Sequence, residues 1–397
     1  MTSTKNILIL TYWSFSDALV QTYTLPYVKI MADQLPPGSR IHLLTLERSA
    51  PVQQHVTGYD TIVHLPLNYL PFGVSAVFGW MKNLRLLRRY IRKQQIDYIH
   101  AFCTPAGMVG YLLARMSLKP LVLDSFEPHA EAMVENGEWK KSSSAFKILF
   151  YFEKKQSQQA SYVIAAAHGM DAYAKEKYGV ALPGMLIKPA CVDLEAFTLS
   201  YRKDKTLLAE LELKDKIVCV YAGKFGGIYL KSEVFEFYKA CYALWGDRFA
   251  ALILTSHLPA EIEAMAQAAG LPKHLFRVRF VPHADMPRHM GLGDFAITPV
   301  KPVPTKNFCT PIKNGEYWAM GLPVVITQHI SVDSALIKEH DAGYVLEELH
   351  AAEYTRAAEK ISVLLAEKDL ALKIRSMAER YRNYAIAHSI YARVYAA

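Results

Sequence analysis

The stretch Thr310-Pro311-Ile312-Lys313-Asn314-Gly315-Glu316-Tyr317-Trp318-Ala319-Met320-Gly321-Leu322-Pro323-Val324-Val325-Ile326-Thr327 reads as a short helix that delivers the chain into a buried strand. Thr310 is placed to cap the helix, and Pro311 to open it, where a missing N–H costs nothing. Gly321 closes the helix, Pro323 forbids its continuation, and residues 324–327 form the strand. Such a start leaves the amides of Ile312, Lys313 and Asn314 without internal partners. Together with the positive end of the helix dipole they offer a seat for a phosphate, and Lys313 adds a full charge. Glu316 lies one turn on, along the face of Ile312, where a carboxylate can accept from two neighbouring ribose hydroxyls. The same residues also fit a plain capped helix with a solvated glutamate.

Outward from this stretch the chain alternates strand, helix and strand. Strands are expected at 6–12, 41–46, 61–65, 97–102, 121–124, 162–165, 185–188, 217–222, 249–255, 278–281, 294–299 and 324–327. That alternation predicts parallel sheets wound with helices, whose ligands gather at the C-terminal strand ends. Residues 66–79, rich in Pro, Gly and aromatics, read as a loop. The helix expected at 80–93 carries an apolar stripe through Leu84, Leu87 and Ile91 and a basic remainder, and could lie on an anionic membrane surface or simply cover the sheet. Helix 146–160 is expected to leave Glu153 and Lys155 in solvent.

With 397 residues, 52% hydrophobic and 21% charged, the chain is long enough for two cores. The opening apolar run is too short for a signal sequence, and no window spans a bilayer, so a cytoplasmic protein, peripheral at most, is expected. The cysteines, five in number, have neither metal-ligand nor redox spacing. A formal charge of +8 suits anionic partners, though no nucleic-acid motif accompanies it.

A second candidate anion site lies at Gly223-Lys224-Phe225-Gly226-Gly227-Ile228-Tyr229-Leu230-Lys231, after the dense strand 217–222. Glycines there let a backbone approach an anion, and the lysines neutralise it. The first strand's turn, Tyr12-Trp13-Ser14-Phe15-Ser16-Asp17, has no glycine and is no dinucleotide fingerprint. Ser16 and Asp17 are helix-cap residues or weak acceptor-site candidates.

The 310–327 run resembles the donor-site motif of retaining nucleotide-sugar glycosyltransferases of family four. That resemblance implies the GT-B fold, two Rossmann-like doubly wound α/β domains facing across a cleft. It extends over nearly the whole chain and is strongest from 217 to 327. It implies an N-terminal acceptor domain, 1–198, to which a helix at 386–397 crosses back, and a C-terminal donor domain, 199–385. Glu316 matches the glutamate that holds the donor ribose. The family's second motif glutamate is replaced by Phe308, eight residues before Glu316. Lys224 and, with a longer loop, Lys231 match the residues that grip the donor diphosphate, together with Gly223, Gly226, Gly227, Thr310, Pro311, Ile312, Lys313 and Asn314. The loop at Pro282 and His283 matches the seat of the nucleobase, with UDP and GDP not distinguished. His129, in the loop Ser125-Phe126-Glu127-Pro128-His129, looks like the histidine placed beside the transferred sugar. Glu127 is the nearby candidate to receive the acceptor's proton. The implied reaction moves a sugar from a nucleoside diphosphate sugar to a hydroxyl of a glycan or lipid-linked acceptor, without metal or cofactor, in envelope glycan synthesis. A nucleotide-sugar epimerase or a catalytically silent nucleotide-binding protein are the alternatives.

Overall fold

The computed structural model describes residues 4–70, 74–182 and 184–395. Pro71, Phe72 and Gly73 of the expected loop, and the last two residues of the expected 386–397 helix, lie outside them. The chain divides into two compact units, Met1–Lys188 with Ala385–Ala397, and Pro189–Tyr384. The segment 189–198, which the sequence assigns to the first domain, belongs to the second unit. Its Val192 bridges Asn383, and its buried Phe197 joins that unit's core.

In the first unit, seven described strands are β1 (Asn6–Leu10), β2 (Arg40–Glu47), β3 (Ile62–Asn68), β4 (Tyr98–Phe102), β5 (Leu121–Phe126), β6 (Tyr162–Ala165) and β7 (Met185–Ile187). Every pairing is parallel, in the order β3-β2-β1-β4-β5-β6-β7. Their apolar runs are continuous because helices cover parallel sheets on both faces. The helix expected at 80–93 runs Val74–Lys93, and β3 runs to Asn68, so both elements reach into the expected loop 66–79. Leu87 and Ile91 are buried as the stripe predicts.

The second unit holds β8 (Ile217–Ala222), β9 (Phe249–Leu254), β10 (Phe276–Arg279), β11 (Phe295–Thr298), β12 (Val324–Thr327) and β13 (Gly343–Leu346). They pair in parallel in the order β10-β9-β8-β11-β12-β13. In both sheets the order reverses direction beside the first strand of the unit, and at such a point loops part and leave room for ligand. Among the described residues no helix is long and apolar enough to cross a membrane.

Two buried polar clusters lie within the first unit. In the first, the carboxylate of Asp124, wholly buried on β5, meets Lys188 Nζ at 3.2 Å and accepts from the hydroxyl of Tyr391 at 2.7 Å. His100 Nε2 lies 3.3 Å from the same carboxylate, and its Nδ1 is 2.6 Å from the Tyr395 hydroxyl. The helix Tyr384–Tyr395 is thereby fixed to the first sheet. Burial alone would raise the Asp124 carboxyl, but Lys188 and His100 bring it down to about 2.

The second cluster overturns an expectation. Glu153, read as solvated, is wholly buried in helix Ser144–Gln159, accepting from the Ala130 amide at 2.8 Å and the Tyr178 hydroxyl at 2.9 Å. Helix periodicity places it inward, and these two donors take the place of water. Desolvation pushes its carboxyl up to about 8, with those hydrogen bonds opposing.

Candidate functional site

The helix Ile312–Ala319 begins one residue later than Thr310 and Pro311 predict. Pro311 itself is the N-cap, extended at ψ 119°, and no side chain caps the helix. Proline has no side-chain acceptor to give, and the Asn314 amide turns back to the Pro311 carbonyl at 3.2 Å. Two amides, those of Ile312 and Lys313, therefore remain without a hydrogen-bond partner among the described residues, rather than the expected three. Gly321 stands just past the helix end at φ +67°, as expected of a closing glycine. A Cβ there would lie 2.7 Å from the Ala371 carbonyl.

The position of this helix is set by buried polar contacts the sequence does not announce. Asn314, wholly buried, accepts from the Thr298 hydroxyl at 2.5 Å and donates to Asp333 at 2.6 Å. Asp333 is in turn paired with Arg382. The side chain of Asn314 is therefore structural. Tyr317, on the same helix, receives the Ala222 amide at 2.8 Å and so ties the helix to the end of β8.

Glu316 is 2% exposed, so burial would raise its carboxyl. Lys313 Nζ at 3.1 Å and His283 Nε2 at 3.7 Å outweigh that and hold it below the ordinary range. The His283 ring opens a short turn, His283–Asp285, and lies 6.0 Å from the ring of Phe197. A charged carboxylate, the Lys313 ammonium, the His283 ring and two unpaired amides thus share one corner.

The glycine-rich segment sits beside that corner. Tyr221, on β8, donates to the Lys224 carbonyl, and Tyr229 bridges Val300, ahead of helix Ile312–Ala319. Burial, with Cys309 and Glu316 adding to it, pushes the Tyr229 phenol up to about 12. Gly226 and Gly227 have φ of +84° and +62°, and a Cβ on either would meet nothing within 4 Å. These glycines are thus required by backbone conformation, and the space beside them is open. Lys224 and Lys231 are exposed and neither ammonium forms an ion pair among the described residues, though the charge of Lys231 acts on the Glu261 carboxylate. Lys231 precedes the helix Ser232–Trp245, its amide donating to Glu233 at 3.2 Å. His257, after β9, was not anticipated. Its Nε2 accepts from the Phe225 amide at 3.2 Å, while Nδ1 lies 3.1 Å from Glu261. These contacts fix the tautomer with the proton on Nδ1 and tether the glycine segment. A histidine at a strand's C-terminal end was the available signal.

In the first unit, His129 begins the helix His129–Glu135 and is not in a loop. Its Nδ1 is 3.6 Å from Glu127 Oε1, both side chains about a third exposed. The Glu127 carbonyl accepts from the Thr104 hydroxyl at 2.9 Å, and Ser125 is left-handed at φ +53° where β5 bulges. Buried Glu153 holds the next amide, Ala130, and so fixes the start of the His129 helix. Asp17 acts as a cap, accepting from the Leu19 amide at 2.8 Å, while Ser16 is exposed.

Residues 20–187, within the first unit, match the family model described as the glycosyl transferase 4-like domain. A comparison with curated proteins gives no match. Among solved structures, the chain is similar to sucrose-phosphate synthase from Thermosynechococcus elongatus. The identity is 16% and the TM-score 0.73, over 99% of this chain and 100% of that one. It is similar to WaaG, a glycosyltransferase involved in lipopolysaccharide biosynthesis, at 12% identity and TM-score 0.71, over 99% and 100% of the two chains. It is also similar to Anabaena HepE, solved in complex with UDP-glucose, at 14% identity and TM-score 0.70, over 98% and 99%. The fold is the two-domain α/β fold of the GT-B glycosyltransferases.

Proposed function

We propose that this protein transfers a sugar from a nucleoside diphosphate sugar to a hydroxyl acceptor, with retention of anomeric configuration. The observation that carries the reading is the corner at Glu316. A buried carboxylate kept ionised by Lys313 and His283 lies beside two unpartnered helix amides and an open glycine turn. A bound diphosphate would satisfy the Ile312 and Lys313 amides, and the ribose would satisfy Glu316. The HepE complex with UDP-glucose and the glycosyl transferase 4-like match support the same chemistry.

Chemistry follows from charge. When the glycosidic bond breaks, negative charge grows on the departing diphosphate, and Lys224, Lys231, Lys313 and the two amides stabilise it without metal. His129 steadies a hydroxyl or the charge of the transferred sugar, and Glu127 takes up the acceptor's proton. Phe308 stands where a sugar-contacting glutamate is expected, so the sugar is selected without that carboxylate. Envelope glycan assembly at the inner membrane face, with an acceptor of glycan or lipid-linked type, is the setting that suits the basic helix Val74–Lys93.

Calorimetric titration with UDP, GDP and their hexose conjugates, repeated on Glu316→Ala, tests the donor assignment. Binding by the native chain and its loss in the variant are expected. Absence of binding by every nucleoside diphosphate would end the reading. Anomeric analysis of the product by NMR then tests retention.

A further inference from the structure

The C-terminal edge of the first sheet presents side chains in a fixed order, because the strands are all parallel. Along β3-β2-β1-β4-β5 the residues that follow each strand include Tyr69, Arg48, Tyr12 with Trp13, Cys103, and Glu127 with His129. At one end the Arg48 guanidinium lies 5.3 Å from the Tyr69 ring centroid. It is exposed and has no carboxylate partner among the described residues. Its neighbour Glu47 is turned inward, accepting from the Phe15 amide at 2.9 Å and from the Thr45 hydroxyl. Tyr12 meets Tyr69 edge-on at 6.1 Å and Trp13 at 6.2 Å, and all three rings are half-buried. Stacking on Tyr69 orders the guanidinium and leaves its fork of donors available for a carboxylate or phosphate. The partly buried rings beside it give apolar surface for the faces of a sugar. From β2 to β5 is three strand steps, about 14 Å at the usual spacing.

We propose that this edge binds an acidic glycan as acceptor. Its carboxylate or phosphate sits on Arg48 and a sugar ring lies against Tyr12 and Tyr69. The accepting hydroxyl reaches Glu127 and His129, so that charge and reaction are separated along the acceptor. The accepting end rests on the glycosyl-transfer reading above, whereas the anionic end rests on Arg48 and its aromatic neighbours alone.

The test is calorimetric titration of the full chain with methyl glucuronide, glucose 6-phosphate and methyl glucoside. It is repeated on Arg48→Gln and Arg48→Lys, with UDP titrated into each sample. At least one anionic probe should bind about tenfold more tightly than methyl glucoside, the gain of a charge-assisted pair. Arg48→Gln should abolish that preference and leave the UDP affinity unchanged, with Arg48→Lys retaining part of it. Which anion wins identifies carboxylate or phosphate as the source. No preference for either anion, or a preference that survives in Arg48→Gln, overturns the proposal. Loss of the donor reading would instead appear as absent UDP binding in the native chain.

Discussion

The ammonium of Lys313 lies 3.1 Å from Oε2 of Glu316, one turn apart on the same helix, and the carboxylate it meets is almost wholly buried. The pair keeps a charge ready where a neutral acid would otherwise be favoured. Glu316→Ala should weaken nucleoside diphosphate binding by at least about tenfold, the worth of hydrogen bonds to a charged group. Lys313→Met removes the largest of the influences that lower the Glu316 carboxyl. The acid limb of the donor-binding profile should therefore move to higher pH, as read by titration at a series of pH values.

Lys224 is exposed and unpaired, so its charge is available to an incoming anion. If it meets charge that grows as the bond breaks, Lys224→Ala should lower kcat about 100-fold while donor affinity changes far less. Steady-state kinetics with the donor varied separates the two terms. An equal loss in both would assign Lys224 to ground-state binding.

Asp124 and Lys188 are both buried, and removing either alone takes from the other its oppositely charged partner. Asp124→Asn should cost about 3–5 kcal/mol in urea unfolding. Adding Lys188→Met should recover much of the loss. The folded pKa of Asp124 is depressed to about 2, so its contribution is present above the unfolded carboxyl value and is lost as pH falls through about 2.

Glu153 behaves in the opposite sense. Its folded pKa is raised to about 8, so its stabilising, protonated form is fully present below the unfolded value and is lost as pH rises through about 8. Between pH 5 and 8 the melting temperature of the native chain should fall relative to that of Glu153→Gln. Parallel curves for the two proteins would refute the assignment.

Helix Val74–Lys93 exposes Phe78 and Met81 on the same side as Lys82, Arg85 and Arg89, while Leu87 and Ile91 face the core. Between Asp60 and Asp124 the sequence has a single acidic residue, Asp97. Co-sedimentation with phosphatidylglycerol vesicles is expected, with none on phosphatidylcholine, and it should weaken as salt screens the attraction. Arg85→Glu with Arg89→Glu should abolish it.

Sequence pattern reached the described strands except β13, whose four residues were not expected as a strand, because apolar runs between helices leave few ways to fold, and β12 lies where Pro323 and the apolar run placed it. It placed Glu316 on the short helix after Pro311 and the glycine segment directly after β8, where the structure has them, while the roles given to them came from the family resemblance. It missed Glu153 because a single glutamate in a helix reads as solvated until its distant partners, the Ala130 amide and Tyr178, are known. The link from Thr298 through Asn314 and Asp333 to Arg382 was hidden for the same reason, since those residues are far apart in the chain. The cap failed differently. Thr310 and Pro311 satisfy the pattern either way, and only the backbone angle of Pro311 decides between them.

The helix Tyr384–Tyr395 supplies Tyr391 to Asp124 and Tyr395 to His100. During synthesis, the unit that leaves the ribosome first must wait for helix Tyr384–Tyr395 before its buried carboxylate and imidazole gain their phenolic partners. Emergence and completion run in opposite orders, so a nascent chain halted at residue 384 would carry a first unit with an acid and a histidine lacking their phenolic partners. Deletion of helix Tyr384–Tyr395 should therefore injure the first unit before the second.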